Sequence, residues 1–274
     1  MPNISVKTNK IKKNDKKYLF FIKKNHLCSK KPQIAGINRN FAPQQLGINM
    51  NNSRNSFAGM LPVVTKNLII INAIIWLAQF VLLSRANIDL TGLFGLHFPA
   101  AEEFRIYQLV TYMFLHDPYS FSHVFFNMFA VFMFGRTLEQ VWGPRRFLTY
   151  YLVTGIGAGI IQLLILYIRV QAVLPQDMFY MVNSVTVGAS GAVFGILLAF
   201  GLLFPNAELF IIPFPFPIKA KWFVIGYGLL ELIFGVANRS GDNVAHFAHL
   251  GGMLFGIFMI LYWRKRDRKY GRFY

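Results

Sequence analysis

Four polar side chains break an otherwise apolar sequence in a pattern that suits acyl-transfer chemistry. Ser190 lies in Gly188-Ala189-Ser190-Gly191, His249 lies in Ala248-His249-Leu250-Gly251-Gly252, and His123 and Asn127 stand four residues apart. A serine hydroxyl is a weak nucleophile until a base takes its proton, and a neutral imidazole can take it near neutral pH. The oxyanion that then develops needs donors aimed at it. His123 and Asn127 share one face of a helix, and with the backbone N–H of Ser190 they could supply those donors. The residues therefore suggest Ser190 as nucleophile, His249 as general base, and His123 and Asn127, grouped with Gly188, as the oxyanion site.

The elements that must position these groups are membrane helices. Of 274 residues, 55% are hydrophobic and only 14% charged, with a mean hydropathy of +0.43; soluble domains carry about a quarter charged residues. An apolar run of about 20 residues spans a bilayer core of about 30 Å. Six candidate spans lie at about 68–83, 121–134, 147–168, 187–204, 222–236 and 245–263. Strand-like alternation is absent, so the core reads as all helical, the form that satisfies its own backbone in lipid.

The net charge of +17 does not indicate a nucleic-acid binder. Residues 1–56 hold 12 basic residues and one acid, Asp15, and residues 264–274 hold six more basic residues. Polybasic flanks of this kind face anionic lipid on the cytoplasmic side. With the N-terminus inside, 24 basic residues lie inside and four outside: Arg85, Arg105, Arg169 and Arg239. Both termini are then cytoplasmic, and spans two, four and six all run inward, so the four polar groups start at similar depth. Residues 1–60 read as a basic, disordered leader rather than a mitochondrial presequence, since Lys far outnumbers Arg. Residues 61–263 form the membrane domain and 264–274 a basic tail. Cys28 is the lone cysteine, so no intrachain disulfide is possible.

Small residues supply the packing. Gly191 with Gly195, and Gly252 with Gly256, are small-xxx-small pairs that let helix backbones approach closely. Close approach of spans four and six is what would bring Ser190 to His249. Gly155 and Gly159 do the same for span three.

These motifs together resemble the rhomboid family of intramembrane serine proteases. The family's Gly-x-Ser-Gly signature matches Gly188 to Gly191, its Ala-His-x-x-Gly-x-x-x-Gly signature matches Ala248 to Gly256, and its His-x-x-x-Asn signature matches His123 to Asn127. Glu139 and Gly143 fit its helix-end pattern, and Phe104-Arg105 resembles its first-loop aromatic-Arg pair. The resemblance implies an all-α polytopic membrane protein, a six-transmembrane-helix rhomboid-like bundle, with a Ser190–His249 dyad that works without an acid. It implies no cofactor and no metal, single-span membrane proteins as substrates, and a bacterial inner membrane as the setting, with an organelle membrane as the alternative. It also implies that the fifth span and the loop after it admit the substrate helix. Phe194 stands where many members have Tyr; its ring can stack on His249, and activity should survive the missing hydroxyl.

Plainer readings remain beside these. Glu231, inside the fifth span, reads as a structural hydrogen bond to a neighbouring helix rather than a third catalytic member. His246 reads as a residue of the outer interface, Glu139 as a partner of Arg136 or Arg145, and Arg105 as a snorkelling side chain. His116 either organises the long loop 84–120 or is solvated there. That loop suits an amphipathic element in the outer interface. Gly-x-Ser-x-Gly and His-Glu-x-x-His are both absent, which argues against a soluble serine hydrolase and a zinc protease. A pseudoprotease would lack Ser190 or His249, and a transporter would carry its polar groups at midplane.

Overall fold

The computed structural model describes residues 61–172, 174–210, 216–237 and 245–269. The leader 1–60, the loop 238–244 with Arg239, and residues 270–274 lie outside the described residues.

Helix α1 (Val63–Ala86) follows Pro62 and ends where Asn87 turns left-handed and returns its N–H to the Leu82 carbonyl. Most of its apolar side chains, Ile70, Ile74 and Leu77 among them, face outward, as lipid-facing side chains do. Thr65, Asn72 and Gln79 face the protein. The following loop is built from two short helices, α2 (Leu90–Phe94) and α3 (Gln108–Thr111), and a 3-10 turn (Tyr112–Phe114).

The loop is folded into the protein as well as lying at its edge. Leu96, Phe98, Tyr112 and Met113 are buried, while Leu93, Phe94 and Ile106 are exposed. Leu96 pairs with Thr186 in an antiparallel bridge. The Gln79 amide clamps both backbone groups of His116, at 2.9 and 3.0 Å. Arg105 folds back to donate to the carbonyls of Glu102 and Phe104, at 2.8 and 2.7 Å.

The second span is longer than the sequence suggests. Helix α4 (Phe121–Ala130) continues through a π turn (Val131–Gly135) into α5 (Arg136–Trp142). Glu139 explains the extension. It is buried and does not join Arg136 or Arg145. Instead its carboxylate accepts from the backbone N–H of Val64 and Thr65, at 2.9 and 2.7 Å, and from the Thr65 hydroxyl at 2.8 Å. It thus satisfies N–H groups that the first turn of α1 leaves without intrahelical partners.

Helix α6 (Pro144–Val170) starts with Pro at its first position, where a missing N–H costs nothing. A short α7 (Pro175–Val182) precedes α8 (Ser190–Leu203). Every α8 residue from Gly191 to Gly201 is buried, so α8 is the central helix of the bundle. Its 14 residues give about 21 Å, short of a full bilayer core. The expected span 187–204 is shortened because residues 187–189 approach it outside the helix.

Antiparallel strands β1 (Glu208–Leu209) and β2 (Ile218–Lys219) connect α8 to α9 (Ala220–Ala237), a small departure from the all-helical reading. Helix α10 (His246–Lys269) completes the bundle and carries part of the expected tail as helix. At its far end Asp267 holds Arg146 of α6 through two bonds, 2.9 and 3.1 Å. Helices α1, α6, α9 and α10 are long and apolar enough to cross a membrane.

Candidate active site

The N-terminal ends of α4, α8 and α10 converge. Ser190 is the first residue of α8, and His249 lies one turn into α10. Glycine contacts set their approach. A Cβ on Gly252 would overlap the Gly191 carbonyl, and one on Gly191 would overlap Ala158 of α6. The second members of the two glycine pairs turn elsewhere. Gly195 faces Thr154 and Gly256 faces Tyr150, both on α6, and the Tyr150 hydroxyl donates to the Gly195 carbonyl at 2.9 Å. Gly155 and Gly159 of α6 receive Met113 and Tyr112 from the loop, with the Tyr112 hydroxyl on the Gly155 carbonyl at 2.6 Å.

The approach leaves Ser190 Oγ 2.8 Å from His249 Nε2. The other ring nitrogen, Nδ1, lies 2.8 Å from Glu231 Oε2. His246 Nδ1 reaches the same oxygen at 2.6 Å. His246 therefore turns toward the carboxylate, and Glu231 makes the expected hydrogen bond to a neighbouring helix, with the His249 ring as its partner. Phe194 stacks on the His249 ring, centroids 4.2 Å apart and planes 7° from parallel. Its other face meets Tyr227, at 5.1 Å and 4°.

The oxyanion group is partly rearranged. His123 Nδ1 accepts the Asp117 N–H at 3.3 Å, which leaves Nε2 as the protonated, donating nitrogen. A Cβ placed on Gly188 would lie 3.0 Å from His123 Nε2 and 3.6 Å from Ser190 Oγ, so the donor and the hydroxyl border one small space. Gly188 does not supply an oxyanion donor, because its N–H already donates to the Tyr112 carbonyl at 3.0 Å. Its contribution is steric: its φ of +129° suits glycine alone, and its missing side chain keeps the space open. Asn127 is buried and spends one amide hydrogen on the His123 carbonyl at 2.8 Å.

His116 is fully buried, not solvated. Its ring packs edge-on against His123, centroids 5.0 Å apart. Burial, and secondly the His123 ring, push its imidazole down to about 3, so it stays neutral.

A rhomboid domain model matches residues 103–266. The chain belongs to the rhomboid family. Among rhomboid relatives, YdcA of Bacillus subtilis is 30% identical over 78% of this chain and 96% of its own length. Rhomboid-like protein 11, chloroplastic, of Arabidopsis thaliana is 30% identical over 56% of this chain and 51% of its own. The rhomboid protease AarA of Providencia stuartii is 28% identical over 49% and 48%. The chain thus spans about half the length of the last two. It is a multi-pass integral membrane protein of a family that includes intramembrane proteases.

The pairing of His249 with Glu231 is the part of this rhomboid site that sequence reasoning missed. One signal was available. The inward residues of α9 are Ala220, Val224, Glu231 and Gly235, one stripe at helical spacing, and the small members mark the face that packs. Glu231, His246 and His249 also bring three potential metal-ligand atoms within 4.8 Å of one another. Ligands on one tetrahedral zinc stand about 3.3 Å apart, given Zn–N bonds of about 2.0 Å. The 2.6 and 2.8 Å contacts are shorter than that and fit shared protons.

Proposed function

We propose that this chain is an intramembrane serine endopeptidase that hydrolyses peptide bonds in or near transmembrane segments of other membrane proteins. The observation that carries the reading is the 2.8 Å contact between Ser190 Oγ and His249 Nε2, at hydrogen-bond distance for proton transfer.

In the reaction, Ser190 Oγ bonds to the carbonyl carbon of the scissile peptide while its proton passes to His249 Nε2. The oxyanion takes donors from His123 Nε2–H, the Asn127 amide and the N–H groups of the first turn of α8, which have no intrahelical partners. Collapse breaks the C–N bond, and His249 returns the proton to the departing amine. Water then attacks the acyl-enzyme by the same route in reverse. Proton transfer in both halves runs between Ser190 Oγ and His249 Nε2. Substrates are single-span membrane proteins, and the cleaved segment must unwind locally, since an intact helix hides its carbonyls. Phe194 keeps the His249 ring in plane.

The basic flanks support an orientation with both termini cytoplasmic; reporter fusions at each end read this directly. The activity is tested by reconstituting the protein in liposomes with a single-span substrate. Wild type should cleave, and Ser190→Ala and His249→Ala should not. Equal cleavage by all three overturns the proposal.

A further inference from the structure

We infer that Glu231 is a positioning residue for His249, and that His246 in turn holds the Glu231 carboxylate. The inference rests on the protease reading and adds a third and a fourth member to its hydrogen-bonded chain. A neutral imidazole can carry its proton on either ring nitrogen. Only the Nδ1–H form leaves Nε2 free to accept the Ser190 proton. A carboxylate oxygen 2.8 Å from Nδ1 accepts that proton's hydrogen bond and so selects this form.

Burial makes the selection count. Glu231 and His249 are each 7% exposed, so little water competes for either nitrogen. When His249 takes the Ser190 proton, the bond to Glu231 becomes a bond between opposite charges in a poorly screened place, where such bonds are strong. Glu231 thereby holds the ring with Nε2 toward Ser190 through the transfer. His246 supplies the second donor to the same oxygen, at 2.6 Å. The groups around the His249 ring are then Ser190 on α8 at Nε2, Glu231 on α9 at Nδ1, the Phe194 face, and the His246 ring edge-on at 6.3 Å.

The chain of contacts runs across three helices. Helix α9 turns mostly apolar side chains outward, among them Trp222, Leu229 and Ile233. Its one inward carboxylate meets the proposed base of the reaction, and a purely structural polar contact has no need of that particular nitrogen.

The test compares Glu231→Gln and Glu231→Ala with wild type in liposomes, with Ser190→Ala as the inactive control. It is paired with 15N NMR of histidine-labelled Ser190→Ala protein with and without Glu231. We expect kcat to fall about 10-fold or more in Glu231→Ala, with KM held within about 2-fold. We expect the His249 signals to change from Nδ1-protonated to a mixture of tautomers. His246→Phe should lower kcat by less than Glu231→Ala does. An unchanged kcat in folded Glu231→Ala overturns the inference. So does an unchanged His249 tautomer, which would leave Glu231 a structural contact. Wild-type activity lost to a chelator and restored by zinc would also overturn it, by making the three groups metal ligands. If wild type itself does not cleave, the protease reading fails, while the NMR comparison still reports whether Glu231 selects the tautomer. Should Glu231→Ala not fold, Glu231→Met, which fills similar space without a hydrogen-bonding oxygen, carries the same comparison.

Discussion

Gly252 lies directly against the carbonyl of Gly191, so that no side chain fits between α10 and α8. This backbone contact, rather than any polar bond, sets the separation at which Ser190 and His249 meet. Gly252→Ala should push the helices apart. The expected cost is about 1–3 kcal/mol of stability, as for other overpacked sites, together with a large loss of activity. Thermal unfolding in detergent and cleavage in liposomes measure the two effects. A variant with normal stability and normal cleavage would show that the contact does not govern the site.

A second prediction concerns Gly188. With φ at +129° and a prospective Cβ 3.0 Å from His123 Nε2, Gly188→Ala forces the loop to move. Losing one oxyanion donor typically costs about 100- to 1000-fold in kcat, and a displaced His123 Nε2 should cost an amount in that range. Because the change is confined to the approach to α8, substrate binding should persist. Measuring kcat and KM separately distinguishes this from a general loss of fold.

Much of this arrangement could be read in the residues themselves. The spacing of His123 and Asn127, and the small residues around Ser190 and His249, carry local information: they mark helix faces and close contacts without reference to a partner. The groups that could not be read depend on distant partners. Glu139 lies 74 residues from Thr65, and nothing near it indicates that it caps α1 rather than pairing with the adjacent arginines. Gly188 could not be told from an oxyanion donor until the Tyr112 carbonyl, far earlier in the chain, was seen to occupy its N–H. Glu231 was visible as a costly residue in an apolar span, but its target depended on how α9 is rotated. The shortness of α8 was hidden because the apolar run extends beyond the helix at its start.

Glu139 yields a third prediction. Glu139→Ala removes an acceptor from two backbone N–H groups and one hydroxyl. Buried donors left without partners cost about 1–3 kcal/mol, so unfolding should occur at lower temperature. The groups at Ser190 lie elsewhere, so kcat of the protein that remains folded should change little. Arg136→Gln should be mild by comparison, since the structure pairs Glu139 with α1 instead.

The His116 ring gives a pH dependence. Its folded-state value is about 3 against an ordinary 6.5, so between those values the unfolded chain binds more protons than the folded one. Stability therefore falls as pH drops from about 6.5 toward 3, with this one group contributing up to about 1.4 kcal/mol per pH unit. His116→Phe should remove that contribution. Unfolding curves for both proteins from pH 7 to pH 4 should converge toward low pH if wild type starts more stable. Parallel curves would mean that His116 is not held neutral.

The most direct measurement is mass spectrometry after treatment of the membrane-embedded protein with a fluorophosphonate. The Ser190–His249 contact predicts one covalent adduct, mapped to Ser190, that forms in wild type and disappears in Ser190→Ala and His249→Ala. An adduct on another serine, or undiminished labelling of Ser190 in His249→Ala, would contradict it.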